Sequence, residues 1–312
     1  METVEGMATV EVPCTCGELV QGVLEGEPFL VSCPIDRYSR VTVVLERRSA
    51  GVGADRSLAG HRPPHQESRT KAVRAVEATL EMLGLRGTSF ALEVACPLVP
   101  SKGYGTSTAD VVGAIVATAL AAGASPSVVD VARLAVAVEP SDGTMFSGLA
   151  LFDHRSGRRW EALGDAPPLL VAVLEFSGAV DTLEYNAGLD MPCLLALESE
   201  HVRALDLLRR GLRQHRPDLI GEAATLSARI NQRVLPKPQL EAVIALGREY
   251  RALGVCAAHS GTVLGLLFPS EAPPSTEALL PDARDRIEGL ERIWISRMVN
   301  GGARVLSMAA RR

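Results

Sequence analysis

The chain has 312 residues, of which 47% are hydrophobic and 22% are charged, and its formal net charge at pH 7 is −5. A chain of this length can bury a large core, and its length favours two domains. The negative net charge argues against nucleic acid or an anionic membrane as the main partner.

The sequence also bears on location and on cysteine chemistry. No apolar run reaches the roughly 18 residues that a membrane span needs, and the start, METVEGMATVEVPC, lacks the basic and apolar regions of a signal peptide. We therefore expect a cytoplasmic protein that does not enter a membrane. None of the six cysteines belongs to a Cys-x-x-Cys pair of the kind found in zinc sites, so reduced and mostly buried thiols are expected.

Strand and helix patterns alternate along the first part of the chain. Three stretches with a β-branched bias and partial alternation are predicted as strands: Ala8–Cys14, Pro28–Ile35 and Ser39–Glu46. The polar stretch Arg47–Ser68 is predicted as a loop because it is rich in Gly, Arg and His. Apolar residues at helical spacing and a final glycine predict a helix over Thr70–Gly84, and a strand follows over Phe90–Leu98.

The rest of the chain begins with a glycine-rich turn and two predicted helices. The second of these runs from about Ser127 to Val138 and precedes the turn Glu139–Gly148 and the strand LALFDH. The proline-containing segment Asp165–Leu170 is predicted as a junction between two domains. Beyond it we predict two apolar strands and a long amphipathic helix: Leu169–Phe176, Thr262–Phe268 and residues 196–214.

The glycine-rich turn lies in the segment PSKGYGTSTADVVGAIVATALAAG, Pro100–Gly123. Such a turn leaves backbone N–H groups unpaired, and the following helix adds the positive end of its dipole. Gly103 and Gly105 allow a ligand to approach the backbone closely, while Thr106–Thr108 offer hydroxyl groups. The segment therefore predicts an anion site, and phosphate is the first candidate.

Other interpretations of this turn require different neighbouring residues. Lys102 precedes both glycines, so the Walker P-loop spacing is not met, and the third glycine of a dinucleotide fingerprint is missing. A serine hydrolase remains an alternative, because GTSTA is close to Gly-x-Ser-x-Gly and Asp142 or Asp181 could join His259. The simplest alternative is an ordinary capped helix, since Ser107 and Asp110 have a capping-box-like spacing.

Three segments occur in the order typical of one family. The pattern PSKGYGTSTA, Pro100–Ala109, resembles the phosphate loop of the GHMP kinases, which include galactokinase and the homoserine and mevalonate kinases. Val12–Gly22 stands at the place of the family's N-terminal substrate-side motif, and Ala257–Phe268 resembles its C-terminal glycine-rich motif. The three motifs cover most of the chain and are specific in combination.

Within this family the resemblance narrows to one group. Three segments together most resemble the L-threonine kinases of cobalamin biosynthesis: Thr15–Gly22, Ser101–Asp110 and Glu139–Gly143. The resemblance implies transfer of the γ-phosphoryl group of ATP to the hydroxyl of L-threonine. Another small alcohol, of the homoserine, mevalonate or sugar type, is an alternative acceptor. Non-catalytic nucleotide-binding members of the fold also exist, but the presence of Asp142 and Glu139 favours an enzyme.

The same resemblance implies the architecture. We expect an α+β fold of two lobes, a ribosomal-protein-like ATP-binding domain over residues 1–165 and a ferredoxin-like domain over residues 166–312. ATP and the small-molecule acceptor would meet in the cleft between the lobes, and Mg²⁺ would accompany ATP. No nucleic acid or membrane partner is expected, and a homodimer is compatible with these observations. Arg47–Ser68 is a candidate lid, since a kinase must exclude water from the transferred group.

The resemblance assigns the nucleotide side of the site. The residues expected at ATP are Pro100, Ser101, Lys102, Gly103, Tyr104, Gly105, Thr106, Ser107, Thr108, Ser260 and Gly261. Mg²⁺ prefers oxygen ligands, so the hydroxyl of Ser107 or Thr108 and the carboxylate of Glu139 are its candidates. Asp142 is the expected catalytic base, although it could simply initiate a Ser-Asp-Gly turn.

The acceptor side is argued from charge. An amino acid is a zwitterion, so its ammonium needs a carboxylate, and its carboxylate needs backbone N–H groups or a cation. Glu18 and Gln21 occupy the segment that recognises the acceptor in related kinases. Glu18 or Asp181 could pair with the ammonium, and Arg37 could face the carboxylate.

Overall fold

The structure is a computed structural model, and it describes residues 6–46, 66–178 and 191–310. Within these residues all ten strands pair antiparallel in one sheet. The strands are β1 (Gly6–Leu24), β2 (Glu27–Glu46), β3 (Ser89–Ala95), β4 (Leu149–Phe152), β5 (Trp160–Gly164), β6 (Leu169–Phe176), β7 (Gly254–Ala257), β8 (Leu264–Pro269), β9 (Leu290–Arg297) and β10 (Arg304–Ala310). Their main order is β5-β4-β2-β1-β7-β8-β6-β9, while β3 pairs with β2 and β10 with β1.

Helices cover this sheet, which confirms the predicted α+β class. Those in the described ranges are α1 (Gln66–Met82), α2 (Thr106–Ala121), α3 (Val128–Val138), α4 (Met191–Ala196), α5 (Glu198–Arg213), α6 (Pro217–Asn231), α7 (Leu240–Glu249) and α8 (Thr276–Arg286). A 3₁₀ turn spans Gly143–Met145. The predicted helix from Ser127 to Val138 is confirmed as α3, with Ser127 as its N-cap accepting a hydrogen bond from the N–H of Asp130.

The central helix α2, whose sequence is mostly apolar, is buried on nearly every side. It packs against β1 and β2. A Cβ at Gly113 would lie 2.5 Å from Cγ2 of Val41, so only glycine lets the helix approach β2 this closely. The close approach fixes where the helix begins, and its first turn opens into the cleft described below.

Strand β1 organises the site because it contacts three parts of the fold. It pairs with β2 along most of its length, with β10 over Gly6–Glu11, and with β7 at Glu18 and Ala257. The β1–β2 register shifts between Pro13 and Val20. Such irregularities re-aim side chains and are common beside active sites. They occur here in the segment that the sequence assigned to the acceptor.

Strand β2 differs from its prediction. Two strands were expected, and one continuous strand is found. Residues 36–38 stay within it, since Tyr38 still pairs with Pro13 while the irregularity falls on β1. The prediction of two strands was therefore wrong, because the polar residues at this point do not interrupt the backbone pairing.

Buried apolar residues form two clusters. The larger lies around β1, β2, α2 and the inner faces of α5 and α6, and the smaller lies between β6, β8, α7 and α8. All six cysteines are free, and four of them are buried, as expected. Within the described ranges, the helices are too short or too polar to cross a membrane.

Candidate active site

One polar cleft collects most of the residues that the sequence selected. It is lined by Glu18, Ser101, Gly103, Tyr104, Gly105, Thr106, Ser107, Thr108, Glu139, Pro140, Asp142, His259 and Ser260. These residues come from β1, the glycine loop, the turn after α3 and the loop after β7. All three sequence motifs therefore meet here, although they are far apart in the chain.

The glycine loop is held by backbone hydrogen bonds on both sides. Carbonyl oxygens of Gly103 and Tyr104 accept from the N–H groups of Gly17 and Thr15 in β1, at 3.3 and 2.8 Å. The carbonyl of Lys102 accepts from the N–H of Thr262 at 2.9 Å. The loop thus bridges the first and third motifs, and its position depends on both.

Glycine is required at three points of this bridge. Gly105 has a φ of 60°, and a Cβ there would lie 2.3 Å from Oδ2 of Asp142. At Gly103 a Cβ would lie 2.3 Å from Cβ of Ala258, and at Gly261 it would lie 2.4 Å from the carbonyl oxygen of Lys102. Contacts below 3 Å force a shift, so these glycines set the shape of the cleft.

The N-terminus of α2 points its unpaired donors at the cleft. Gly105 is the N-cap and has no side chain to cap the helix, so the first-turn N–H groups lack a side-chain partner. The alternative interpretation, a capping box between Ser107 and Asp110, is not supported, because the N-cap is Gly105. Ser107 donates instead to Glu139, and Asp110 accepts a hydrogen bond from Ser39. The uncapped turn is suited to phosphate oxygens.

Ser107, Glu139 and Lys71 form a polar group beside this turn, in which Glu139 is buried and the other two residues are half-buried. The hydroxyl of Ser107 donates to Oε1 of Glu139, and Nζ of Lys71 lies 3.0 Å from Oε2 of the same carboxylate. Thr108 is directed elsewhere, since its Oγ1 accepts from the N–H of Asp142 at 3.1 Å. The arrangement favours Ser107 over Thr108 as a ligand to a hard cation. Lys71 was missed because only the fold brings α1 to this carboxylate.

Asp142 lies against the glycine loop. The close approach of its Oδ2 to Gly105 places the carboxylate beside the start of α2. Burial, and then the charge of Glu139, raise the pKa of Asp142 to about 7. A carboxylate with a pKa near neutrality can accept a proton at the start of a reaction and release it afterwards. The geometry is therefore suited to general-base chemistry.

Glu18 is a second buried acid near Asp142. It is 3% exposed, and its Oε2 has no hydrogen-bond partner in the described part of the chain. Burial, and then the charge of Asp142, raise the pKa of Glu18 well above its usual range. A buried carboxyl oxygen that lacks a partner is suited to a cationic ligand group.

Gln21 supports the wall of the cleft from behind and is not one of the lining residues. Its Oε1 lies 2.7 Å from Nδ1 of His259, and its Nε2 donates to the carbonyl of Ala257 at 3.3 Å. Burial, followed by the charge of His154, lowers the pKa of His259 well below its usual range, so the ring is neutral near pH 7. His259 is thus held by Gln21, and Ser107 is held by Glu139. The hydroxyl of Ser107 therefore donates to Glu139, whereas the serine hydrolase alternative would require it to donate to His259.

Besides Gln21, four expected residues are not among those that line the cleft: Pro100, Lys102, Gly261 and Arg37. Nζ of Lys102 donates to the carbonyl of Phe176 at 2.6 Å and pairs with Glu291 at 2.9 Å, so it faces the strands of the second half. Arg37 bonds to the adjacent Asp36. Asp181 lies outside the described residues. The carboxylate role expected of Arg37 therefore has no geometric support.

Tyr104 connects the glycine loop to β6. Its hydroxyl donates to Oε2 of Glu175 at 2.7 Å, and its ring lies 5.8 Å from that of Trp294. Both Tyr104 and Glu175 are buried. A buried charge-assisted hydrogen bond is strong, so this contact fixes the loop relative to the second half of the chain.

Comparisons with known proteins identify the family of this chain. Residues 70–150 match the family model of the GHMP kinases N terminal domain, and residues 208–278 match that of the GHMP kinases C terminal. The chain is 34% identical to an L-threonine kinase of Salmonella typhimurium over 270 residues, which are 85% of this chain and 84% of the relative. It is 32% identical to an L-threonine kinase of Citrobacter freundii over 268 residues, 84% of this chain and 86% of the relative.

A solved structure supports the fold independently. The chain is similar to a homoserine kinase from Cytophaga hutchinsonii with a TM-score of 0.70 and 18% identity, covering 98% of each chain. At this identity the likeness concerns the fold alone. The predicted two-lobed α+β architecture of the family is confirmed by this match together with the two domain models.

Proposed function

Because this chain belongs to the GHMP kinase family, and is therefore an ATP-dependent kinase, we propose that it phosphorylates the hydroxyl of L-threonine to give O-phospho-L-threonine. Two relatives named L-threonine kinase match most of the chain at 34% and 32% identity, and they support this acceptor. We extend the proposal to a role in cobalamin biosynthesis, as the sequence resemblance implied.

One observation carries the mechanism: Oδ2 of Asp142 lies against Gly105, at the uncapped N-terminus of α2. An anion bound at the helix N-terminus and an alcohol beside Asp142 would therefore be neighbours. The reaction needs this juxtaposition, because the attacking oxygen must line up with the γ-phosphorus. Asp142 then accepts the hydroxyl proton as the bond between the alcohol oxygen and the γ-phosphorus forms, and the bond from that phosphorus to the β,γ-bridging oxygen breaks, which releases ADP.

The loop supplies the electrostatic part of the reaction. Negative charge spreads over the oxygens of the transferred phosphoryl group, and the first-turn N–H groups of α2 are fixed before it develops. Donors that are already oriented need no reorganisation at the transition state. The backbone bonds that hold residues 102–104 between the first and third motifs thus contribute to catalysis through positioning.

The oxygen donors beside the loop fit Mg²⁺. The Ser107 hydroxyl and the Glu139 carboxylate are hard ligands, and Mg²⁺ characteristically takes few protein ligands and completes its shell with phosphate oxygens and water. We assign these two residues to the ion, which when bound would neutralise part of the triphosphate charge. Lys71 beside Glu139 adds a positive charge on the same side.

Four further expectations, on the domain boundary, location, assembly and partners, are also proposals. We propose that the lobes divide near residue 165, that the protein is cytoplasmic, that any assembly is a homodimer and that nucleic acid is not a partner. The acid at Glu18 is the proposed partner of the acceptor's ammonium, since it is buried in the cleft and one of its oxygens has no partner among the described residues.

The test is ADP release from Mg-ATP with L-threonine, L-serine, L-homoserine, mevalonate and galactose. We expect turnover with L-threonine and a product identified as O-phospho-L-threonine by ³¹P NMR. Asp142→Asn should lower this turnover by about 10²–10⁴. Asp165→Asn, at an exposed acid bonded to Asn300, is the matched control. Preference for another alcohol would overturn the acceptor assignment, and ATP binding without any turnover would overturn the proposed chemistry.

A further inference from the structure

Lys237 is a buried cation that the mechanism above does not use. The residue is 5% exposed, and its Nζ has no hydrogen-bond partner in the part of the chain that the structure describes. Burial alone lowers the pKa of Lys237 to about 8, so the amine is still mostly charged at pH 7. Keeping an unpaired ammonium away from water is costly unless an anion joins it. Its position therefore indicates a ligand.

The backbone around Lys237 is fixed. The residue lies between Pro236 and Pro238, whose rings restrict the chain on both sides. Its N–H donates to Oε1 of Gln232 at 2.7 Å, and its carbonyl accepts from the N–H of Leu240 at 3.0 Å. The buried position is thus built into the turn between α6 and α7.

This turn lies beside the acceptor end of the cleft. In α6, Oγ of Ser227 accepts from the N–H of Gln21 at 2.9 Å, and Asn231 follows one helical turn later on the same face. Asn231 is buried too, and its Nδ2 also lacks a partner among the described residues. The charge of Lys237 helps to lower the pKa of His259, a residue of the cleft wall. Two buried donors are therefore close to the wall that Gln21 and His259 form.

We propose that Nζ of Lys237 and Nδ2 of Asn231 form an anion subsite that receives the α-carboxylate of an amino-acid acceptor. This inference rests on the proposed function, because it assumes an acceptor that carries a carboxylate. The lysine side chain has four methylene groups with rotatable bonds. Its ammonium can therefore reach the carboxylate of an acceptor that binds beside His259. Glu18, at another part of the cleft, takes the ammonium, and the zwitterion is held by its two opposite charges.

The subsite explains selectivity. An alcohol without a carboxylate leaves the ammonium of Lys237 buried and unpaired, whereas an amino acid satisfies it. Sites with buried polar groups discriminate strongly against analogues that lack the matching group. Lys237 is thus the residue that selects amino acids from other small alcohols, in the place that sequence reasoning gave to Arg37.

The experiment compares L-threonine with (R)-1-amino-2-propanol, which lacks only the carboxylate. Enzymes to be compared are the wild type, Lys237→Met and the control Arg233→Met, which removes a nearby cation that is exposed and paired with Glu200. We expect Lys237→Met to lower kcat/KM for L-threonine by about 10- to 100-fold, in keeping with the loss of a charged hydrogen bond. Turnover of the carboxylate-free alcohol should not change, and Arg233→Met should affect neither substrate.

Binding gives a second readout that does not need turnover. L-threonine should raise the Tm of the wild type and of Arg233→Met. The increase should be much smaller for Lys237→Met. Two results for Lys237→Met would overturn the subsite: an equal loss of kcat/KM for L-threonine and for the carboxylate-free alcohol, or an unchanged kcat/KM for L-threonine. If the wild type phosphorylates another carboxylate-bearing alcohol, only the threonine assignment fails, and the subsite stands if Lys237→Met weakens that alcohol selectively. A wild type that uses only galactose overturns the subsite.

Discussion

Asp142 is the residue whose protonation should set the rate. With a pKa raised to about 7 it is mostly protonated below pH 6 and cannot accept the acceptor's proton. We expect kcat/KM to fall about tenfold per pH unit below that pKa, because only the ionised carboxylate acts as a base. Asp142→Asn should lower kcat by about 10²–10⁴ and leave ATP affinity unchanged. Initial rates between pH 5.5 and 8.5 check this.

Stability separates this loss of activity from a loss of folding. The pKa of Asp142 is raised on folding, so its ionisation destabilises the fold as pH rises from the unfolded value of 3.8 through about 7. Asp142→Asn should therefore be more stable than the wild type in urea at pH 8 and nearly equal to it at pH 3.5. A flat pH–rate profile in the wild type would count against Asp142 as the base.

The buried charge of Lys237 should lower the stability of the fold while it favours binding of the acceptor. Its pKa falls from 10.5 to about 8 on folding, so the charged form opposes folding fully below pH 8, and the penalty disappears above the unfolded pKa. Lys237→Met should raise the unfolding free energy at pH 7 by about 1–3 kcal/mol, since one pKa unit corresponds to about 1.4 kcal/mol. Urea unfolding at pH 7, 9 and 10 measures the gain, which should shrink with pH. A destabilised variant at pH 7 would show that the ammonium already has a partner.

At the scale of elements, the glycine loop and α2 allow a matched pair of substitutions. Gly105 and Gly123 flank the same helix with φ values of 60° and 74°. A Cβ meets Oδ2 of Asp142 at Gly105, whereas nothing lies within 4 Å at Gly123. Alanine at either position should cost about 1–2 kcal/mol of stability through backbone strain. Only Gly105→Ala should also lower kcat, by about 100-fold, because it displaces the base.

Thermal unfolding and steady-state kinetics on both variants measure the two effects separately. Equal losses of activity in Gly105→Ala and Gly123→Ala would mean that strain, and not the contact with Asp142, controls the rate. Full activity in Gly105→Ala would show that the carboxylate can move aside without consequence.

Elements whose own residues form a clear pattern were predictable from the sequence. Elements whose position depends on pairing or packing with distant parts of the chain were not. The glycine loop and the start of α2 follow from glycine, hydroxyl and apolar spacing alone. Strand β10 was not predicted because its side chains are exposed, so it lacks an alternating pattern, and its position depends on pairing with β1. The same limit applies to Lys237. Its burial depends on the packing of α6 against β1. In the sequence itself, only the two flanking prolines indicate a fixed turn.

At the scale of the whole molecule, the two halves of the chain are interlocked. The start of β1 pairs with β10 from the C-terminal end, and Glu18 pairs with Ala257. Farther along β1, the N–H of Val23 donates to Nδ1 of His201 in α5 at 3.2 Å. Strand β1 therefore belongs to the first half in sequence but depends on the second half for its partners. The cleft also depends on both halves of the chain, because residues of both halves form its walls.

This interlocking predicts that residues 1–165 do not fold alone, even though 165 is the proposed domain boundary. Without residues 166–312, Glu18 loses its pairing with Ala257, Val23 loses its hydrogen bond to His201, and one edge of β1 over Gly6–Glu11 loses its partner strand. We expect no cooperative thermal transition for this fragment by circular dichroism, and no ATP binding. Mixing it with residues 166–312 should restore both, as the paired edges can reassociate. A cooperative melt of 1–165 alone would show that the N-terminal lobe holds β1 by itself, and that the second half only completes the cleft.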